Sequence, residues 1–377
     1  MVVIADSSIP FVEEAFADFG EVRTMPGRDI TSQQLKEATI LLVRSITTVD
    51  KNLLEGTGVK FVATATIGTD HIDTAYLAEN NIGFAYAPGS NAESVAEYIT
   101  AALFELTQAR GRKLNELALG IVGCGNIGSR VFRHAQALGM HCLLNDPPKK
   151  RISGSISYLP LEKVLRESDI VSLHVPLNMH GSDATYHMVN NGFLLEMKKG
   201  AILINTSRGR VVDEKVLRAN RNRLDSVVLD VWENEPNINV ETLKAVDIAT
   251  PHIAGYSYDG KVRGTAMIYE AACAFFFKKP VWNMQQTLTK EKTQTIDLQD
   301  SNDRIADAVL QAYPIMRDDK ELRSLGGQAE KKRGAYFDTL RQNYSKRLEF
   351  YHYRITGVPK ESPDFKILSA LGFVFDE

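Results

Sequence analysis

Three short runs place chemically capable side chains just past the ends of apolar stretches. Ile204-Asn205-Thr206-Ser207-Arg208-Gly209 carries an arginine, Leu229-Asp230-Val231-Trp232-Glu233-Asn234-Glu235-Pro236 carries acids, and Thr250-Pro251-His252-Ile253-Ala254-Gly255 carries a histidine. An arginine can pair bidentately with a carboxylate and polarise the oxygen beside it. A histidine can take a hydroxyl proton and return it. A glutamate hydrogen-bonded to that imidazole orients it and favours its protonated form. Arg208, Glu235 and His252 therefore suit removal of a hydride and a proton from C2 of a 2-hydroxy acid. Singly, a loop arginine is usually a surface charge and a histidine beside proline an ordinary loop residue, so the reading needs all three together with a hydride acceptor.

An acceptor site is signalled upstream. Gly120-Ile121-Val122-Gly123-Cys124-Gly125-Asn126-Ile127-Gly128 follows a strand-like run and opens a helical one, and Asp146 ends the next strand eighteen residues after Gly128. In a dinucleotide-binding turn Gly123 allows the tight bend, Gly125 lets backbone N–H groups approach a pyrophosphate, and Gly128 permits close helix–sheet packing. Asn126 and Ile127 open the helix whose N-terminus favours the anion. Asp146 is placed to bond the adenosine ribose and repel a 2′-phosphate, favouring NAD over NADP, with Lys149-Lys150-Arg151 moderating that preference. Cys124 fills a variable position of the motif, so no redox role is expected of it. His174, in LHVPL at a strand end, is expected near the cofactor without a proton-transfer role.

The elements that must position these residues read as a parallel α/β protein. Val2–Ile4, Ile40–Val43, Phe61–Ala63 and Gly83–Tyr86 are continuous apolar strands, with helices expected around Phe11–Phe19, Ser32–Lys36 and Asp73–Glu79. A long helix follows Pro88-Gly89-Ser90-Asn91, to about Arg110. A second series of strands covers Ala118–Val122, Cys142–Asn145, Ile170–Leu173, Ala201–Ile204, Val227–Asp230 and Asp247–Ala249, enough for a complete doubly wound domain. Residues 259–277 are helical again. Asn283–Gln299, rich in Gln, Thr and Lys, reads as a linker or exposed edge. Helical patterns recur near Asp303–Met316 and Glu330–Arg347, before Phe365–Leu371 and the apolar Phe373-Val374-Phe375, as in a small α+β domain.

The 377 residues suit two or three domains at ~150 residues each. Hydrophobic residues at 44% and charged residues at 24% are ordinary globular usage, and a net charge of -3 gives no footprint for nucleic acid or an anionic membrane. No apolar run approaches the ~18 residues of a membrane span. The N-terminal MVVIADSSIP lacks a basic leader, and Cys124, Cys142 and Cys273 are odd in number and scattered, against a disulfide framework or a metal site. A cytoplasmic protein is expected, with no metal, nucleic-acid or membrane partner.

The glycine motif with Asp146, together with NTSRGRVVDE, LDVWENEP and TPHIAG, resembles the D-isomer-specific 2-hydroxyacid dehydrogenase family over roughly residues 1–282. The resemblance implies a doubly wound Rossmann NAD domain (92–253) inserted in a flavodoxin-like substrate domain (1–91 and 254–282), with the active site in the cleft between them. It is similar in particular to a branch of the family with a C-terminal tail. The matching runs are MPGRDI, VRSITTV, FVATATIGTDHID, YAPGSNAESVAEYI, NDPP, PHIAGYSYDGKVRGT, RDDKELR and LRQNYSKRLEF. That branch implies a small C-terminal α+β dimerisation domain (287–377), hence a homodimer, and a small phosphorylated 2-hydroxy acid as substrate. Arg208, Glu235 and His252 carry over as catalytic residues. Asp146, Thr206, Ser207, Asp230 and Gly255 carry over as cofactor contacts, with Asp230 reaching the nicotinamide carboxamide. Ser45, Thr66 and Tyr256 carry over as substrate contacts, with Arg44 beside Ser45 to balance a dianion and Ile67-Gly68 offering backbone N–H groups. Val175 departs from the polar residue of that branch and leaves only backbone there. Two alternatives stay open: another member of the family, acting on 3-phosphoglycerate, hydroxypyruvate or glyoxylate, and an NAD-sensing binding module of the corepressor type. The tail lacks the glycine-punctuated βαββαβ pattern of a regulatory ACT domain.

Overall fold

The computed structural model describes residues 1–108, 110–289 and 291–376; positions 109, 290 and 377, which fall in the expected long helix and C-terminal domain, lie outside the described residues. The chain divides into two compact units, Met1–Asn91 with Tyr256–Lys292, and Ala92–Gly255 with Thr293–Glu377. Among the described residues no helix is long and apolar enough to cross a membrane.

In the first unit, β1 (Val2–Asp6), β2 (Glu21–Met25), β3 (Ile40–Val43), β4 (Phe61–Thr64) and β5 (Gly83–Tyr86) form a parallel sheet in the order β2-β1-β3-β4-β5. Every residue of β3 and β4 is buried, as the unbroken apolar runs require of strands covered on both faces. One face carries the helix Tyr258–Phe275, whose Ile268, Tyr269, Ala272 and Cys273 pack with Phe16, Phe61 and Val3. The other buries Leu35, Leu54, Val62 and Leu77. The strand β2 has no counterpart in the sequence reading, because EVRTM is a half-exposed edge strand whose Arg23 and Glu21 pair with each other. The helix expected at Ser32–Lys36 is instead a turn. There the Gln34 side chain takes the Thr31 N–H at 2.7 Å, and only Leu35 is buried, so no helical face forms.

In the second unit, β6 (Ala118–Val122), β7 (His141–Asn145), β8 (Ile170–Leu173), β9 (Ile202–Asn205), β10 (Ser226–Leu229) and β11 (Ile248–Ala249) form a parallel sheet in the order β11-β10-β9-β8-β6-β7. The chain winds one way from β6 to β7 and the other way from β8 onward. The crevice outside the carboxyl ends of β6 and β8 is therefore the topological switch point, where such sheets bind ligands. A smaller parallel sheet is built from β12 (Gln294–Asp297), β13 (Tyr353–Thr356) and β14 (Val374–Phe375), with the helices Arg304–Ala312, Ile315–Arg323, Glu330–Gln342 and Pro363–Leu371 around it. The stretch read as a linker thus contains the helix Met284–Leu288 and β12; the strand escapes notice because Ile296 is its only buried residue. Leu322, Leu325 and Phe337 join Trp232, Leu243 and Val246 in one hydrophobic core, so the C-terminal helices pack directly on the nucleotide-type sheet.

The helix Ala92–Gln108 is tied to the helix Asn126–Ala137 through Glu93, which receives hydrogen bonds from His134 Nε2 at 2.8 Å and Arg133 at 2.5 Å. Burial opposes ionisation of Glu93, but the His134 bond and charge, followed by Arg133, outweigh it and pull its carboxyl down to about 2. A depressed carboxylate stabilises the fold fully above its ordinary value of 4.5 and loses that contribution as pH falls toward 2. We expect Glu93→Gln to lower the unfolding free energy by roughly 1–3 kcal/mol at pH 7. In urea titrations the gap to the parent should close as pH drops from about 4.5 toward 2; a pH-independent gap would rule out an ionic origin.

Candidate active site

The second unit assembles its chemistry from strand ends. Asn205, the last residue of β9, is fully buried and folds the following turn around its amide. Its Oδ1 accepts from Ser207 N at 3.0 Å and Ser207 Oγ at 2.7 Å, and its Nδ2 donates to Arg208 O at 3.0 Å. This places the half-exposed Arg208 at the sheet edge, with its Nη1 on Ser207 O. A Cβ on Gly209 would lie 1.8 Å from Trp232 O, so glycine there lets the Arg208 turn abut the Trp232–Glu235 turn. Asn205 was not singled out in the sequence, where an Asn before Thr-Ser looks like any strand-end turn.

Beyond β10, Asp230 is 1% exposed and holds the next segment rather than facing solvent. Its Oδ1 accepts from Thr250 Oγ1 at 2.6 Å and Ile253 N at 2.7 Å, and its Oδ2 from Ala254 N at 3.0 Å. Burial raises its pKa, while the His252 charge, the Thr250 hydroxyl and the two backbone N–H groups work the other way. Tyr98, buried in the helix Ala92–Gln108, backs this arrangement with its hydroxyl 2.8 Å from Thr250 Oγ1. Gly255 directly follows the held Ala254.

His252 sits in this grip with φ of 58°, a left-handed conformation that costs a residue with a Cβ of order 1 kcal/mol or more. The conformation is fixed by His252 N donating to Asp230 O at 2.7 Å. Nδ1 donates to Glu235 Oε2 at 2.7 Å, and Glu235 Oε1 accepts from Trp232 N at 2.7 Å. With Nδ1 committed, Nε2 is the atom left for a substrate. Burial opposes ionisation of Glu235, yet the charge and hydrogen bond of His252, with Arg341 next, hold its carboxyl below the usual range. Thus Glu235 and His252 are brought together, and Arg208 stands on the adjoining turn.

The glycine turn has the geometry of a dinucleotide site. Gly123 has φ of +90°, and a Cβ there would meet His174 O at 2.5 Å; one on Gly128 would meet Gly123 O at 2.0 Å. In front of Gly125 the space is open, and Gly125 caps the helix Asn126–Ala137 without any side-chain hydrogen bond, leaving the first-turn N–H groups of Asn126 and Ile127 to an anion. Asp146 lies beside this turn and accepts from Cys124 N and Lys149 N, both at 2.9 Å. Lys149 itself donates to Cys124 O, and Arg151 pairs with Asp183, so two of the three basic residues near Asp146 have protein partners. Burial pushes the Cys124 thiol up to about 12, with the Asp146 charge adding to it, which keeps it a thiol.

Two polar side chains at the same edge have no hydrogen-bond partner among the described residues although their polar atoms are shielded. They are the Thr206 hydroxyl past β9 and both ring nitrogens of His174 past β8. Burial lowers the His174 pKa to about 3, so its neutral ring offers one donor and one acceptor. Hydroxyl and amide groups of a dinucleotide in the switch-point crevice would satisfy them, and NAD fits this set of donors and acceptors.

The first unit carries the other expected residues. Ser45 is exposed just past β3, and Thr66, past β4, donates to Gly68 O at 2.9 Å and lies 2.7 Å from Thr64 Oγ1. Tyr256 has a cation over each of two approaches to its ring, Arg44 at 5.4 Å and Lys261 at 4.7 Å from the centroid. Lys261, on the helix Tyr258–Phe275, was missed because one lysine on an amphipathic helix carries no signal of its own.

His174→Phe should leave the cofactor-free protein at least as heat-stable as the parent, since it removes two unsatisfied buried nitrogens, while raising the NAD dissociation constant roughly three- to tenfold. Calorimetric titration alongside thermal melting separates the two effects; unchanged NAD affinity would remove His174 from the site.

Comparison with known proteins agrees with this geometry. The family described as "D-isomer specific 2-hydroxyacid dehydrogenase, NAD binding domain" matches residues 89–254, and a domain of unknown function matches residues 287–372. Erythronate-4-phosphate dehydrogenase of Salinibacter ruber is 46% identical over 95% of both chains. The protein of the same name from Proteus mirabilis is 39% identical over 99% of both. Among solved structures, D-lactate dehydrogenase from Aquifex aeolicus, complexed with NAD and lactic acid, superposes with a TM-score of 0.62 at 29% identity, covering 74% of this chain and 96% of that one. The chain belongs to the D-isomer-specific 2-hydroxyacid dehydrogenases, among the erythronate-4-phosphate dehydrogenases.

Proposed function

We propose that this chain oxidises 4-phospho-D-erythronate at C2 to 2-oxo-3-hydroxy-4-phosphobutanoate with NAD, a step that the resemblance assigns to pyridoxal 5′-phosphate synthesis. The observation that carries the reaction type is the His252–Glu235 pair at 2.7 Å, on strand ends shared with Arg208 and the glycine turn. Bound NAD supplies the two-electron acceptor for the hydride from C2. Arg208 holds the substrate carboxylate and polarises the C2 oxygen. His252 Nε2 takes the C2 hydroxyl proton as the hydride departs, so the alcohol becomes a ketone and the imidazole carries the proton away. Glu235 keeps the ring oriented and balances that charge. Asp146, Thr206, Ser207, Asp230, Gly255 and the Gly123–Gly128 turn serve the cofactor.

On the substrate side, Ser45, Thr66 and Tyr256 provide hydroxyls, and Arg44 with Lys261 provides the cationic pair that reads the phosphate dianion. An unphosphorylated polyol acid, whose one carboxylate is taken by Arg208, would have no use for two further cations on one tyrosine ring. The C-terminal segment serves a homodimer in the cytoplasm, and its exposed Met316 and Tyr351 support that reading. Light scattering at micromolar concentration should report a dimer; a monomer would remove that role.

NADH formation on 4-phospho-D-erythronate, D-erythronate, 3-phosphoglycerate and glycerate, with a 2-oxo acid acceptor in parallel, tests the substrate. Preference for 4-phospho-D-erythronate is expected; preference for 3-phosphoglycerate or an unphosphorylated acid would leave the chemistry but not the substrate. Lys261→Met should raise KM for the phosphorylated acid by roughly 10- to 100-fold with little effect on D-erythronate. His252→Ala should abolish turnover while NAD still binds; joint loss of both would reassign His252.

A further inference from the structure

The C-terminal segment grips the chain on both sides of His252. Upstream, Ala249 N faces the edge of the sheet, where β11 has no further strand neighbour among the described residues, and Asp319 Oδ1 accepts from it at 2.8 Å. Arg323 pairs with Asp319 at 2.7 Å and donates to three carbonyls leading into β11: Leu243 at 3.1 Å, Val246 at 2.9 Å and Asp247 at 3.0 Å. The helix Glu330–Gln342 lies so close to the turn after Glu235 that a Cβ on Gly334 would meet Asn237 Oδ1 at 2.5 Å.

Downstream, Arg347 is 6% exposed, and its Nη2 donates to Ala254 O and to Ser94 O, both at 2.8 Å. Its guanidinium lies 4.3 Å from the Tyr313 ring centroid. The neighbouring Glu349 accepts from Ser94 Oγ at 2.7 Å, and Glu97 accepts from Phe350 N at 2.7 Å, so the same stretch is laced to the helix Ala92–Gln108. Between the two gripped points, Ala249 and Ala254, lies the one residue of this loop with a left-handed backbone, His252. A strained conformation persists only where its surroundings over-determine it.

We propose that the C-terminal segment positions His252 of its own chain, with Arg347 as the positioning residue that pins the exit of the His252 loop. This rests on the reading that His252 moves the proton, and it gives residues that fall in a domain family of unknown function a part in the reaction separate from any part in dimerisation.

The test compares Arg347→Met, which fills similar space without donors, and Arg347→Lys, which keeps a cation beside Glu97 and Glu349 but is shorter than the guanidinium arm. His252→Ala serves as the control for the underlying reading. Arg347→Met should lower kcat by 10-fold or more while NAD affinity, titrated directly, stays within threefold of the parent. Its solvent deuterium isotope effect on kcat should rise, since proton transfer then limits, and Arg347→Lys should fall between. A purely architectural Arg347 would lower the melting temperature and leave kcat and the isotope effect unchanged well below it; that result overturns the proposal. If Arg347→Met does not fold, Arg347→Lys alone decides: kcat within twofold of the parent and an unchanged isotope effect overturn it, and a larger loss with an increased isotope effect supports it. Turnover surviving in His252→Ala would instead defeat the reading beneath it.

Discussion

A carboxylate taken out of water is costly unless every lone pair it turns inward finds a donor. Asp230 is buried at the end of β10, and its donors are Thr250, Ile253 and Ala254, all in the segment that carries His252. The need to satisfy this one group wraps residues 250–254 around it and turns the backbone at His252 left-handed. The rest of the site follows from that wrap: the ring is presented beside Glu235, and Glu235 is fixed in turn by Trp232 N. Trp232 closes the circuit, since its indole N–H donates to Thr250 O at 3.0 Å. Strand-end chemistry here is a closed set of hydrogen bonds seeded by a buried charge.

This explains why the residues proposed to react were legible in the sequence and their supports were not. Apolar runs such as ILLV and VSLHV announce buried parallel strands, and a parallel sheet puts all carboxyl ends on one edge, so Arg208, Glu235 and His252 could be grouped before any geometry was known. The resemblance places Asp230 at the nicotinamide, but nothing in LDVWENEP tells that this aspartate also holds the backbone of a loop twenty residues on. The His174 backbone likewise packs against the Gly123 turn, fifty residues away. Lys261 and Arg44 are separated by more than two hundred residues, yet both lie by the Tyr256 ring. The strands β2 and β12 escape notice for the opposite reason: these edge strands bury no residue fully or only one, too few to make a period.

The C-terminal segment shows how a short edge strand can be made to hold the loop that carries His252. With only two residues, β11 offers its β10 neighbour few ladder bonds, and an edge of that kind frays easily. Asp319 and Arg323 supply from outside the sheet what a seventh strand would have supplied, charge-assisted bonds to backbone N–H and C=O groups. The packing of Leu322, Leu325 and Phe337 beneath them removes water from those bonds and strengthens them. The loop is therefore held by hydrogen bonds at its base and at its exit.

A second histidine–carboxylate pair clarifies what suits the first one to the proposed proton transfer. His187 Nε2 bonds Glu233 at 2.7 Å, two residues before Glu235, and its other nitrogen lies 3.8 Å from Asp213. His187 also has a left-handed backbone, with φ of 48°, and its ring stacks on Tyr186 at 4.1 Å. By residue type and strain alone it resembles His252. Both of its nitrogens, however, face carboxylates, and its backbone N–H donates to Arg210 O at 2.8 Å, so it braces the Arg208 turn. His252 spends one nitrogen on a carboxylate and keeps the other for chemistry. That division of a single ring, one edge held and one edge available, separates the proposed proton carrier from a strut, though both pair with carboxylates of the same short turn.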